Sequence, residues 1–238
     1  MCGRASPITE GGTVAEKTIE VAQNILDKND RIAEELRAIY REHGICVVNL
    51  LAGPGAGKTS TIIATIEALK DRYNVAVIEG DIASDVDAHK VKAHGAAAVQ
   101  INTGGLCHLE GAMIRRALDV IDLDATDLII IENVGNLVCT VDFDLGESLC
   151  AMILSVPEGH DKPLKYPGIF QASDAVILNK VDTMPVFDFD EAAFDAEIEQ
   201  LNPNAEVFRI SATKGTGVDA WSSFLAEWIE AARAGRGE

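Results

Sequence analysis

ICVVNLLAGPGAGKTS, residues 45–60, decides how the chain is read. The apolar run from Ile45 to Leu51 has the composition of a buried strand. Gly53, Pro54, Gly55, Ala56 and Gly57 follow, then Lys58, Thr59 and Ser60, then the helix-like TIIATIEALK. Strand, glycine-rich turn, Lys-Thr and helix, in that order, form the context of a phosphate-binding P-loop. Glycines let consecutive backbone N–H groups converge on phosphate oxygens, and the helix N-terminus adds partial positive charge. Lys58 is placed to reach the β- and γ-phosphates, and the Thr59 hydroxyl to ligate Mg²⁺. In one respect the pattern departs: Ala52 stands where G-x-x-x-x-G-K-[ST] begins with glycine. The motif in this setting predicts a nucleoside triphosphate as ligand.

Working outward, residues 1–13 are small and polar, and about 14–42 carries helical periodicity. Ala22, Ile25, Leu26, Ala33, Leu36 and Tyr40 share one face, with charged residues between. Asn29 and Asp30 mark a possible break, so the segment reads as one long helix or two. The expected division is an N-terminal tail and helical appendage over 1–43 and a nucleotide-binding domain over 44–238. Beyond Gly44, strand-like runs at 74–80, 96–101, 127–135, 149–157, 174–180 and 205–212 alternate with helical ones. Near-continuous apolar strands alternating with helices predict an α/β fold, a mostly parallel sheet with helices on both faces. Ligands of such sheets bind at the carboxyl ends of the strands.

Asn179-Lys180-Val181-Asp182 closes one predicted strand, as in P-loop GTPases, which the chain resembles here. The Asp182 carboxylate can accept two hydrogen bonds from guanine, whereas adenine lacks that donor pair. A polar group left unpaired discriminates strongly, so GTP is favoured over ATP. Ser211-Ala212-Thr213-Lys214 matches the second guanine-side loop, whose backbone N–H would meet the base carbonyl. Mg²⁺ prefers oxygen ligands; Thr59 is one, and Asp81, ending the second strand, is the first carboxylate candidate. Glu132-Asn133-Val134-Gly135 stands where Ras-type GTPases carry Asp-x-x-Gly, so Glu132 is expected to hold the Mg²⁺ shell or position water. Asp85 and Asp87 lie in an acidic loop that reads as a switch or a solvated turn. Asn136 stands where a water-orienting glutamine would follow Gly135. Catalysis by positioning then calls for another group; Lys162 and Lys165 are candidates to act across a dimer.

The 238 residues carry a net charge of −18, which disfavours nucleic acid and anionic membrane as partners. No apolar run reaches the roughly 18–20 residues of a membrane span. The opening MCGRASPITEGG lacks the apolar core of a signal peptide, which predicts cytoplasmic residence. Five scattered cysteines suit reduced thiols or metal ligands better than a disulfide framework.

Cys107 and His108 are adjacent, and Cys139 follows the Glu-Asn-Val-Gly-Asn loop. Two thiolates and an imidazole suit Ni²⁺ or Zn²⁺. Spacing alone leaves a second reading open, in which the cysteines are buried small hydrophobes and His108 caps a helix.

Seven strings bring a specific resemblance: AGPGAGKTS, EGDIASDVDAHK, NTGGLCHLE, IIIENVGNLVC, GHDKPLKYPGIF, LNKVD and SATKGTG. From Leu50 to Phe224 the chain resembles the HypB family, GTPases that assist nickel insertion into NiFe hydrogenases. The resemblance implies a GTP-hydrolysing metallochaperone that dimerises on binding GTP. It implies Cys107, His108 and Cys139 as nickel or zinc ligands, Thr59 and Asp81 near Mg²⁺, and Asn179 and Asp182 as guanine contacts. As partners it implies a second maturation factor and the hydrogenase large subunit. The alternative is a regulatory P-loop GTPase whose Cys/His cluster is only structural. The chain lacks the N-terminal C-x-x-C-G-C cluster and the histidine tract of some family members, which argues against a separate N-terminal nickel site and against nickel storage.

Overall fold

The computed structural model describes residues 13–81 and 91–237. The apolar runs become strands β1 (Cys46–Ala52), β2 (Val75–Asp81), β3 (Ala97–Asn102), β4 (Leu128–Glu132), β5 (Leu149–Ser155), β6 (Ala175–Asn179) and β7 (Glu206–Arg209). They form one sheet in the order β3-β2-β4-β1-β5-β6-β7. Every neighbouring pair is parallel, so the sheet is wholly parallel among the described residues. The expected α/β class, with helices on both faces, is the fold found. Around the sheet lie α1 (Thr13–His43), α2 (Lys58–Leu69), α3 (Gly111–Leu118), α4 (Lys162–Lys165), α5 (Pro167–Gln171), α6 (Glu191–Leu201) and α7 (Val218–Ala234).

Burial on both faces explains why the central strands are apolar throughout. Leu128 and Ile130 pack with Val48, Leu50 and Val77 against Ile62 and Ile66 of α2 and Trp221, Leu225 and Ile229 of α7. The alternate residues Ile129 and Ile131 turn to the other face, with Val47 and Ile78, against Leu36 and Tyr40 of α1 and Ile114 and Leu118 of α3. Across β5 and β6, Met152, Leu154, Val176 and Leu178 meet Ile169 and Phe170 of α5 and Phe194 and Ile198 of α6. Opposite pointing of successive strand side chains produces this division.

Helix α1 is single and continuous through Asn29 and Asp30. Asn29 does not turn back on its own backbone, which is how asparagine weakens helices. Its Nδ2 donates to Asp144 O at 2.7 Å and its Oδ1 accepts the Gly111 N–H at 2.8 Å. A residue that reads as a break is thus a clamp joining α1 to the N-terminus of α3 and to the loop carrying Asp144. The helix expected over 108–119 begins only at Gly111, with Glu110 still extended. Residues 107–110 are drawn into the site.

The chain leaves β1 toward β2 and β3 on one side, and returns through β4 before crossing to β5, β6 and β7 on the other. Sheets of this kind open a crevice where the strand order reverses, at the carboxyl ends. The P-loop follows β1 at that point.

Candidate functional site

A cleft of about 620 Å³ opens there, lined by the P-loop, Glu79 and Gly80 of β2, residues 132–135, and Lys180. Lys58 begins α2, so the backbone N–H groups of its first turn have no partners inside the helix. Gly55 and Gly57 hold φ of +79° and +98°. A Cβ at Gly57 would lie 2.5 Å from Asn179 Nδ2, so both conformation and contact require glycine there. Ala52, the departure from the motif, is the buried last residue of β1 and packs beside Ala56 and Ile62. Its Cβ is accommodated in the core.

Thr59 Oγ1 donates to Glu132 Oε1 at 3.3 Å. Glu132 also faces Glu79, its register partner on β2. Both carboxylates are nearly enclosed, at 8% and 2% exposure, and both line the cleft beside Lys58 and Thr59. Register partners on adjacent parallel strands point to the same side, so two carboxylates stand together beside the Thr59 hydroxyl. Sequence reasoning missed Glu79. A glutamate ending the apolar run VAVI is a signal, but its pairing with Glu132 is not visible in either strand. Asp81 closes β2 opposite Asn102; its side chain, with Asp85 and Asp87, lies outside the described residues.

On the other flank three loops are fastened together. Asn179, 2% exposed, donates from Nδ2 to Ala56 O at 3.0 Å. Its Oδ1 accepts the N–H groups of Lys180 at 2.7 Å and Ala212 at 3.2 Å. Both ends of the amide are engaged within the protein, so Asn179 positions the P-loop and the Ser211–Lys214 loop. The Ala212 N–H is likewise engaged here. Lys180, the one non-glycine at positive φ among the described residues, sends Nζ to Gly55 O at 2.7 Å. Asp182 Oδ1 accepts the Ser211 hydroxyl at 2.6 Å, which sets the exposed carboxylate beside the loop carrying Thr213. Ser60 and Thr213 line a neighbouring hollow. Of the two lysines considered for action across a dimer, Lys165 pairs with Asp161 and Lys162 lies 5.3 Å from the Tyr166 ring centre.

The soft-ligand candidates lie where β3 and β4 run out. Cys107 and Cys139, 32 residues apart in sequence, are brought near enough for their thiols to influence each other. The hydrogen bond with Cys107, followed by burial, holds the Cys139 thiol above its ordinary pKa. Cys107 Sγ lies 3.6 Å from His108 Nδ1. The His108 ring stacks on Phe143 at 3.7 Å between centres, and its Nε2 approaches Glu110 Oε1 at 3.5 Å. Among the described residues no three His, Cys, Asp or Glu side chains stand close enough together to hold a metal ion. The structure therefore assembles the thiol pair and keeps His108 turned against Phe143. Leu106 and Val138, beside the two cysteines, are exposed at 40% and 60%.

Residues 47–209 match the CobW/HypB/UreG nucleotide-binding domain family. The chain is 48% identical over 225 residues to the hydrogenase maturation factor HypB of Azotobacter vinelandii, covering 94% of this chain and 73% of that protein. It superposes on HypB of Helicobacter pylori, solved in complex with nickel, with a TM-score of 0.81 at 39% identity, covering 86% of this chain and 96% of that one. Archaeoglobus fulgidus HypB gives a TM-score of 0.80 at 36% identity, over 85% and 99% of the two chains. A P-loop cleft beside paired carboxylates and a thiol pair thus accompanies likeness over nearly the whole chain: it belongs to the HypB hydrogenase maturation factors of the CobW/HypB/UreG family.

Proposed function

We propose that the chain is a GTP-hydrolysing metallochaperone that carries nickel on Cys107, His108 and Cys139 toward a NiFe-hydrogenase precursor. The observation that carries this reading is the approach of Cys107 and Cys139, on loops that leave the sheet beside the nucleotide cleft. The nickel complex of the Helicobacter pylori relative supports it.

Guanine selection rests on Asp182, with Ser211 holding one carboxylate oxygen in place. The hard-oxygen set of Thr59, Glu132 and Glu79 fits Mg²⁺, which takes oxygen ligands and keeps several waters; Asp81 joins it from the end of β2. Mg²⁺ so placed would supply charge compensation on the phosphates. Lys58 neutralises phosphate charge, and Glu132 orients the groups around the attacking water. Hydrolysis by this chain is positioning and electrostatics rather than covalent chemistry.

Cys107 and Cys139 suit a soft cation, nickel as cargo or zinc in competition. Three ligands leave a tetrahedral site open, and the exposed Leu106 and Val138 flank it, so a second copy of the chain would close it on GTP binding. Residues 44–238 then act as the GTP-binding domain and 1–43 as an appendage on it. A second maturation factor and the hydrogenase large subunit are the partners. The free thiols Cys46, Cys107, Cys139 and Cys150 suit work in the reducing cytoplasm.

One observation favours a second reading, a regulatory GTPase with a structural Cys/His group: the His108 ring is packed flat on Phe143, with Nδ1 on Cys107 and Nε2 toward Glu110, so its contacts are already met within the protein. Nickel affinity measured in GDP and in a non-hydrolysable GTP analogue, with dimerisation followed in the same samples, separates the two. The metallochaperone reading expects an affinity that depends on nucleotide and is lost in Cys139→Ala. Equal or absent affinity in both states supports the regulatory reading.

A further inference from the structure

Between the nucleotide cleft and the thiol pair lie five residues, Glu132 to Asn136. On the cleft side, Glu132 accepts the Thr59 hydroxyl at 3.3 Å. Gly135 approaches the P-loop so closely that a Cβ there would lie 3.4 Å from both Lys58 Nζ and Pro54. The two asparagines of the segment bond in the other direction. Asn133, 1% exposed, accepts at Oδ1 the Leu109 N–H at 3.3 Å and its neighbour Val134 N–H at 2.9 Å. Its Nδ2 donates to Asn49 Oδ1 at 3.2 Å, which anchors it on β1. Leu109 directly follows His108 and is pressed onto β2, where a Cβ at Gly80 would meet its side chain at 2.8 Å. Asn136 Oδ1 accepts the N–H groups of Val138 at 2.7 Å and Cys139 at 3.1 Å, and Asn136 O accepts the Thr140 hydroxyl at 2.9 Å. One asparagine therefore grips the arm bearing Cys107 and His108, and the other grips the arm bearing Cys139.

We propose that Asn133 and Asn136 are the positioning residues through which nucleotide state sets the geometry of Cys107 and Cys139, and with it nickel affinity. This rests on the reading of the thiol pair as the nickel site given above. Contact with the γ-phosphate region at Gly135 displaces the 132–136 segment, and the two amides carry both arms with it. Side-chain hydrogen bonds tolerate only a few tenths of an ångström before weakening, and soft-metal bonds to sulfur near ~2.3 Å are similarly demanding. The same geometry explains why Asn136 does not act as a water-orienting residue: its amide oxygen already holds two N–H groups of the Cys139 turn.

The test compares wild type, Asn136→Ala, Asn136→Asp and Asn133→Ala. The quantity read is the ratio of nickel dissociation constants in GDP and in the GTP analogue. GDP affinity and circular dichroism are recorded alongside. A wild-type ratio of about 10 should fall to within about twofold of one in Asn136→Ala, and partly in Asn133→Ala, within the usual range of coupling between sites. Asn136→Asp keeps the acceptor and should keep the ratio. A merely structural role would weaken nickel binding equally in both nucleotides and leave the ratio intact, which overturns the proposal. A wild-type ratio of one overturns the coupled metallochaperone reading itself. Should Asn136→Ala fail to fold, Asn136→Ser is read in its place. By reciprocity, the factor by which nickel changes analogue affinity gives the same ratio independently.

Discussion

Replacing Asn179 by alanine tests how the cleft is held together. The substitution removes the donor to Ala56 O at 3.0 Å and the acceptor for Lys180 N at 2.7 Å and Ala212 N at 3.2 Å. Each neutral hydrogen bond contributes about 0.5–1.5 kcal/mol net, with a further penalty where its partner stays buried and unpaired. Three such bonds at a site 2% exposed amount to a loss of about 2–4 kcal/mol in the nucleotide-free protein. For a chain of this length that lowers Tm by about 4–16 °C. Urea unfolding and calorimetry without nucleotide read the loss directly. Saturating GDP should recover part of it by mass action, because binding selects the assembled loops. A change below ~0.5 kcal/mol, within the range of ordinary surface substitutions, would refute the three-loop clamp if GDP affinity also held. Unchanged stability with GDP affinity lost would instead make Asn179 a direct base contact.

Two further outcomes follow from the same geometry. Gly57→Ala puts a Cβ 2.5 Å from Asn179 Nδ2 at a φ of +98°. Left-handed strain of roughly 1–2 kcal/mol together with the displaced amide should weaken binding of a fluorescent GDP at least ~10-fold by titration. In alkylation by iodoacetamide at pH 8 read by mass spectrometry, Cys46, pushed up to about 12 by burial, and Cys150, also raised by burial, should resist. Cys107 and Cys139 should label, and nickel should protect them. Only the thiolate reacts, so the Cys139 rate should still be climbing above the usual thiol value of about 8.5, because its hydrogen bond with Cys107 raises it. Rapid labelling of Cys46 would refute the buried assignment.

Much of this molecule is legible in its sequence. The strands were visible because a parallel sheet covered on both faces demands unbroken apolar runs such as Leu128–Ile131. The P-loop was visible because its glycines, Lys58 and Thr59 are contiguous, and local backbone geometry fixes their chemistry. What escaped was contact between distant residues. Glu79 reads as an isolated glutamate until β2 pairs with β4 and brings it beside Glu132. Asn29 reads as a helix break until Asp144 and Gly111 supply partners for its amide. Asn136 reads as a poor substitute for glutamine until the Cys139 turn is seen resting on it.

The sequence by itself determined the α/β class, the order of elements and the identity of the phosphate-binding loop, since all of these follow from periodicity and short motifs. Tertiary structure alone decided that Cys107 meets Cys139 and that Asn179 joins three loops. It also decided that two asparagines bridge the cleft and the thiols. The physical reason is that a hydrogen bond acts over about 3 Å, and only the folded sheet brings residues as far apart as Ala56 and Asn179, 123 positions, within that reach.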